Sequence, residues 1–272
     1  MSTNTTPREL SLAHLSVLDA APPELVAVAA AAGFRKVGIR ISATPSVGVP
    51  PYDMLGDTPV LRETLARLAD TGVSVLDVEF LRFEPETPEG ILEGFLEASA
   101  RLGARYVLVM SAEPLEARTI ERFCDLCDRA RQYGLHVCLE FAIYTGVRTL
   151  RDAVRLVSMS GRTNASVLVD ALHFSRSGGV PSDIAGIDAS LFRYAQICDA
   201  AAVIPREPGD LMREARTGRL LPGEGALPLR DLVAALPAAI PLSIEAPVRA
   251  TAGLPALERA RRAYCSMRAL LG

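Results

Sequence analysis

Four polar side chains stand inside runs that are otherwise apolar. Glu140 lies in Val137-Cys-Leu-Glu-Phe, Asp170 ends Val167-Leu-Val-Asp, Gln196 lies in Tyr194-Ala-Gln-Ile-Cys, and Glu245 lies in Leu242-Ser-Ile-Glu-Ala-Pro. Three carboxylates gathered in one dry place repel one another and resist ionisation unless a cation holds them. One divalent metal ion bound by Glu140, Asp170, Gln196 and Glu245 resolves that conflict. Ligation by oxygen alone points to Mg²⁺, Mn²⁺ or Co²⁺ rather than a thiolate-bound zinc. Taken singly, each acid reads equally well as a helix cap or an arginine partner. Their occurrence one per strand on four successive strands favours the metal.

His173 follows Asp170 by three residues, and the chain has only two other histidines, His14 and His136. At the point where a strand turns into its loop, a neutral imidazole can overhang the metal and take a proton from a polarised substrate. The plainer alternative is a loop histidine bonded to a backbone carbonyl. His14 reads as a core histidine in the first strand, and His136, at the start of a strand, as structural. Arg82 and Arg216 offer planar forks for a carboxylate or phosphate, and either can anchor an anionic substrate. Glu79, close to Arg82, is grouped with them on the substrate side; a salt bridge or support for the metal ligands are its alternatives. Cys124-x-x-Cys127 lies mid-helix with no second pair, so it is read as packing. Serine-nucleophile and phosphate-loop motifs are missing.

The elements that must position these residues repeat. Strand-like runs at 10–18, 36–41, 74–81, 106–111, 136–142, 166–172, 193–199 and 241–247 are each followed by a helix-period segment. Those segments lie at 23–33, 58–71, 88–102, 115–133, 149–160, 183–190, 227–236 and 254–270, with a long loop after the seventh strand. Runs that are apolar throughout suit strands buried on both faces of a parallel sheet. Eight units without a break predict an α/β chain folded as one closed (β/α)₈ barrel over residues 1–272, because no dinucleotide fingerprint follows the first strand. In such a barrel chemistry gathers at the C-terminal strand ends, where the four ligands fall.

Composition narrows the partners. With 29 basic against 32 acidic residues there is no cationic excess to neutralise phosphates, so nucleic acid is not expected. The apolar runs are far too short to span a membrane, and Met1–Leu10 lacks the pattern of a secretory signal. Five scattered cysteines do not make a disulfide framework. A cytoplasmic location is the expectation.

With these residues in place the chain resembles the xylose-isomerase-like TIM barrels, the superfamily of sugar isomerases and epimerases, inosose dehydratases and endonuclease-IV-type proteins. Members carry Glu, Asp, His and Glu on successive strands around a divalent metal. Glu140, Asp170 and Glu245 match three of these, and Gln196 departs from the usual histidine. Glutamine there, the Asp170–His173 pair, the loop Arg216-x-x-Arg219-x-x-Pro-Gly-x-Gly, and the arginine of Arg82-Phe83-Glu84 resemble the 3-dehydroshikimate dehydratase branch. The resemblance implies that His173 is the general base, that Arg82 and Arg216 bind substrate oxygens, and that the substrate is a small polyhydroxylated carbonyl compound. It admits a homo-oligomer. An endonuclease-IV-type role would need more histidine ligands than this chain has. The leading expectation is a metal-dependent dehydratase acting by proton removal next to a carbonyl. A sugar or sugar-phosphate isomerase or epimerase is the first alternative, and a non-catalytic barrel binding a sugar acid the second.

Overall fold

Alternation along eight short strands sorts the buried side chains into an outer and an inner core. In the computed structural model, which describes residues 8–41, 52–84 and 89–272, these are β1 (Leu10–Ala13), β2 (Lys36–Arg40), β3 (Ser74–Phe83), β4 (Tyr106–Ser111), β5 (His136–Glu140), β6 (Ala165–Asp170), β7 (Phe192–Ile197) and β8 (Leu242–Ile244). Each pairs in parallel with its sequence neighbour, and β8 pairs with β1 to close the barrel, Ser11 lying opposite Ser243. Side chains pointing outward, such as Val37, Ile39, Val167, Val169, Leu242 and Ile244, merge with the helices into one continuous apolar core. Those pointing inward on the lower strands, Leu76, Tyr106, Leu108, Cys138, Leu168 and Tyr194, form a second, smaller core inside the barrel. The barrel is therefore packed below its mouth, as this architecture requires.

The helices are α1 (Pro22–Ala32), α2 (Pro59–Thr71), α3 (Glu89–Arg101), α4 (Glu116–Gln132), α5 (Leu150–Ser160), α6 (Ala171–Arg176), α7 (Pro208–Thr217), α8 (Leu229–Ala235) and α9 (Ala256–Leu271). The fifth shows how sequence sets them. Thr149 and Asp152 cap each other's backbone N–H groups at its start, and Gly161 closes it in the left-handed region with φ 62°. Between them Leu150, Ala153, Leu156 and Val157 recur at three- and four-residue spacing and are buried. Such a cap stabilises a helix by about 1 kcal/mol. Gly38 serves a different need: a Cβ there would meet Asp77 Oδ1 at 2.8 Å, so any side chain would collide with that buried carboxyl.

The structure departs from the sequence expectation in three places. No α-helix occupies 183–190; the sixth strand runs instead into α6, which Asp170 caps, and two 3-10 turns follow at Pro181–Ile184 and Ala189–Leu191. Gly178, Gly179, Pro181 and Gly186 interrupt that stretch and leave no room for a longer helix. The loop after the seventh strand contains α7, started by Pro208 at its first turn. His14 is not in β1 but opens the 3-10 turn His14–Val17 that follows it. Most of the polar N-terminal stretch, and residue 88 of the expected third helix, lie outside the described residues. No helix among the described residues is long and apolar enough to cross a membrane.

Candidate active site

The ends of β5 to β8 bring the predicted residues to one rim. Glu140 closes β5, Asp170 closes β6, Gln196 stands one residue before the end of β7, and Glu245 follows β8; all four are buried. Asp170 and Gln196 are register partners across β6 and β7. The Asp170 carboxylate accepts the His173 backbone N–H at 2.9 Å, which caps α6 and fixes the imidazole above the strand end. One ligand atom each from Glu140, Asp170 and His173 falls within 4.8 Å of the others. His173 Nε2 lies 3.8 Å from Glu140 Oε1, and Tyr144 meets the imidazole edge to face with ring centres 5.7 Å apart. Gln196 Nε2 donates to Glu245 Oε1 at 3.3 Å.

Two buried arginines complete the cluster, and the sequence reading had assigned neither of them a role. Arg219 is 2% exposed and forks between two strand ends, with Nη1 2.5 Å from Asp170 Oδ2 and Nη2 2.9 Å from Glu245 Oε2. Its Nε donates to the Ala215 carbonyl at 2.8 Å. Arg40, at the end of β2, pairs with Glu79 Oε2 at 2.8 Å and lies 3.9 Å from Glu245 Oε1. Of the alternatives open for Glu79, the structure shows the salt bridge. The arginine that enters the cluster is thus Arg219, not Arg216. Arg216 sits in the last turn of α7, half-buried, near enough to Tyr144 to act on its hydroxyl. Arg82 is farther out: its side chain is 36% exposed and pairs with Glu84 Oε1 at 3.2 Å. Polar residues late in an apolar strand were the signal used for the acids, and the same signal in Lys36-Val-Gly-Ile-Arg40 marks Arg40.

The electrostatics are those of a site short of positive charge. Burial, followed by the nearby Asp170 and Glu245 carboxylates, pushes Glu140 well above the usual carboxylate range. Burial likewise raises Glu245 to about 7, with Arg219 opposing. It would raise Asp170 too, but the Arg219 guanidinium and His173 outweigh it and hold that carboxyl below its ordinary value. Deeper in the barrel, burial and then Glu79 keep Asp77 far above the normal range. His173 is lowered to about 4 by burial, against the pull of Asp170, so its imidazole is neutral at physiological pH.

A divalent cation fits this donor set. Four ionisable carboxyls at the mouth (Glu79, Glu140, Asp170 and Glu245) face two guanidiniums (Arg40 and Arg219), which leaves two negative charges for a divalent ion to balance. Among the described residues no donor meets the buried Gln196 Oε1 atom, as for an unused ligand oxygen. Its companions are carboxylates, the hard donors that Mg²⁺ or Mn²⁺ prefers.

The model of the xylose isomerase-like TIM barrel family matches residues 26–269. The chain belongs to this family. Among curated proteins, the inosose isomerase of Bacillus licheniformis is 26% identical over 147 residues, which cover 50% of this chain and 51% of that protein. The chain therefore matches only about half the length of this curated relative. Among solved structures, an IOLI protein with a bound zinc atom superposes with a TM-score of 0.81 at 19% identity, over 97% of this chain and 98% of the other. A probable 3-dehydroshikimate dehydratase, AsbF from Bacillus anthracis, superposes with a TM-score of 0.71 at 15% identity, over 96% and 98%. Likenesses at these identities speak for the shared barrel.

Proposed function

We propose that this barrel is a divalent-metal-dependent enzyme that removes a proton next to the carbonyl of a small polyhydroxylated ketone. The observation that supports it most is the convergence of Glu140, Asp170 and Glu245 with a neutral histidine at one strand-end rim. Glu140, Asp170, Gln196 and Glu245 would hold the ion, Mg²⁺, Mn²⁺ or Co²⁺. When bound, such an ion polarises a carbonyl oxygen and offsets the negative charge that develops on proton loss. His173 takes the proton: its Nε2 faces the acids, and burial keeps it unprotonated and able to accept. Tyr144 packs on the ring and shields it from water. Arg216 and Arg82 would meet the substrate's oxygens, while Glu79, buried and paired with Arg40, would hold that arginine in place.

After proton removal two outcomes are open. Return of the proton to the neighbouring carbon, or to the other face, makes the enzyme an isomerase or epimerase, and the inosose isomerase relative supports that reading. Loss of a β-hydroxyl makes it a dehydratase; glutamine at position 196 and the Arg216–Arg219 loop favour this second reading. Incubation in D₂O with inosose, a panel of ketoses and 3-dehydroshikimate tests both. Return of a proton, as in isomerisation or epimerisation, predicts deuterium entering the carbon next to the carbonyl of at least one substrate. A rearranged ketone then marks isomerisation, and a new ultraviolet-absorbing product marks dehydration. Neither exchange nor a new product from any of them, with metal supplied, would leave the non-catalytic sugar-acid-binding barrel in its place.

A further inference from the structure

Arg219 has no role in the proton transfer, yet it is one of the largest fully buried side chains of the protein. Its guanidinium is fixed on every side. Nη1 meets Asp170 Oδ2, Nη2 meets Glu245 Oε2, and Nε is held by the Ala215 carbonyl in the last turn of α7. That helix is itself tied to α6. Arg176 makes two charged hydrogen bonds to Glu214, at 2.9 and 2.6 Å, and donates a third to the Ala201 carbonyl at 2.8 Å. The Arg176 and Glu214 side chains are 3% and 10% exposed, so water does little to weaken the pair. α6 carries His173, and α7 seats Arg219, so the base and the guanidinium are held by one clamp.

We propose that Arg219 is the positioning residue of the metal centre, presetting Asp170 and Glu245 to receive a divalent cation and remaining in place once it is bound. This inference rests on the functional reading above, in which those acids are ligands. Its geometric basis is that the fork takes one oxygen from each acid. Asp170 Oδ1 and Glu245 Oε1 are left to the cluster, where among the described residues they meet the His173 N–H, the Gln196 amide and, at longer range, Arg40. Asp170 closes β6 and Glu245 follows β8, with β7 between them. Without a bridging cation their charges would repel and their side chains would swing apart. Charge supports retention as well: with Arg219 in place the three acids Glu140, Asp170 and Glu245 carry two net negative charges, the number a divalent ion neutralises. A partner that orients metal ligands from behind is typically worth 10–100-fold in metal affinity.

The test is Mn²⁺ titration of the metal-stripped full chain by calorimetry, for the native protein and for Arg219→Met, Arg219→Lys, Arg40→Met and Glu214→Gln. Arg219→Met is expected to bind Mn²⁺ at least 10-fold more weakly, and Arg219→Lys to fall between it and the native protein because charge is kept but the fork is lost. Arg40→Met removes the same charge from the same rim without touching the bridge, and is expected to bind as tightly as the native protein or tighter. Glu214→Gln, which loosens the clamp and leaves the cluster intact, is expected to weaken binding several-fold. Unchanged or tighter binding by Arg219→Met would overturn the proposal, since Arg219 would then be competing with the ion for the same oxygens. Should Arg219→Met fail to fold by circular dichroism, native affinity in both Arg219→Lys and Glu214→Gln would overturn it equally. Absence of binding by the native chain would instead sink the functional reading, and this inference with it.

Discussion

The interior of this barrel follows opposite rules at its two levels. On the floor, Tyr106 and Tyr194 stack with ring centres 5.2 Å apart and 20° between planes, over Leu108, Cys138 and Leu168. The Tyr194 hydroxyl lies beside the buried Asp77 carboxyl, and the rest of the layer contributes through area removed from water and close packing. One layer up, Glu140, Asp170, Glu245, Arg40, Arg219 and His173 are just as deeply buried, but they are charged or titratable. Ion pairs of this kind roughly break even against apolar packing, so the mouth is poor at stabilising the fold. Area removed from water on the floor holds the barrel closed, and the charged mouth adds little to that.

Substitutions should separate the two levels cleanly. The largest effect is expected at the mouth: His173→Ala should lower kcat by 10²–10⁴-fold on any substrate that shows proton exchange, while bound metal and urea midpoint stay near native values. Unchanged turnover would remove His173 as the base. On the floor, Leu168→Ala should cost about 2–5 kcal/mol in urea unfolding, and metal stoichiometry should be untouched. Loss of metal in that variant would mean that the two levels are not independent.

A smaller effect concerns pH. His14 is fully buried beside the mouth: its Nε2–H donates to the Ala20 carbonyl at 2.8 Å, and its Nδ1 accepts the Arg40 N–H at 3.1 Å. Burial lowers it from 6.5 to about 4. The unfolded chain then binds the proton first, so the stability due to neutral His14 is present above pH 6.5 and is lost as pH falls towards 4. Raised carboxyls such as Glu140 and Glu245 act in the opposite sense, losing stability as pH rises. Comparison with His14→Gln isolates the histidine. Between pH 7 and pH 5 the native protein should lose about 2 kcal/mol more than the variant. Parallel pH profiles would show that His14 is not held neutral by the fold.

Much of this was legible in the sequence, for identifiable reasons. Parallel strands covered on both faces read as apolar runs, so the eight units stand out, and a polar residue inside such a run is conspicuous. Glu140, Asp170, Gln196 and Glu245 were therefore visible before any coordinates. Arg219 was not, because Arg216 three residues earlier has the same chemistry in the same charged stretch. Only the end of α7 at Thr217, with Gly218 behind it, turns one arginine inward and leaves the other in the last helical turn. Helix α7 itself was hidden because it buries only Leu211 and Ala215, too few apolar positions to announce a period. Helix α6 was missed because it is six residues long and is set by the Asp170 cap rather than by its own pattern. The family features seen in the sequence proved more general than the branch-level ones. The barrel is what the family model bears out, whereas the rim residues alone do not choose between isomerisation and dehydration.

If Glu140, Asp170, Gln196 and Glu245 hold one divalent ion, elemental analysis of the chain after dialysis against Mn²⁺ will count it, with Glu140→Gln as the companion. About one metal ion per chain is expected in the native protein, and a near-empty Glu140→Gln that still folds. A native chain free of bound metal, or a Glu140→Gln variant that keeps a full complement, would contradict it.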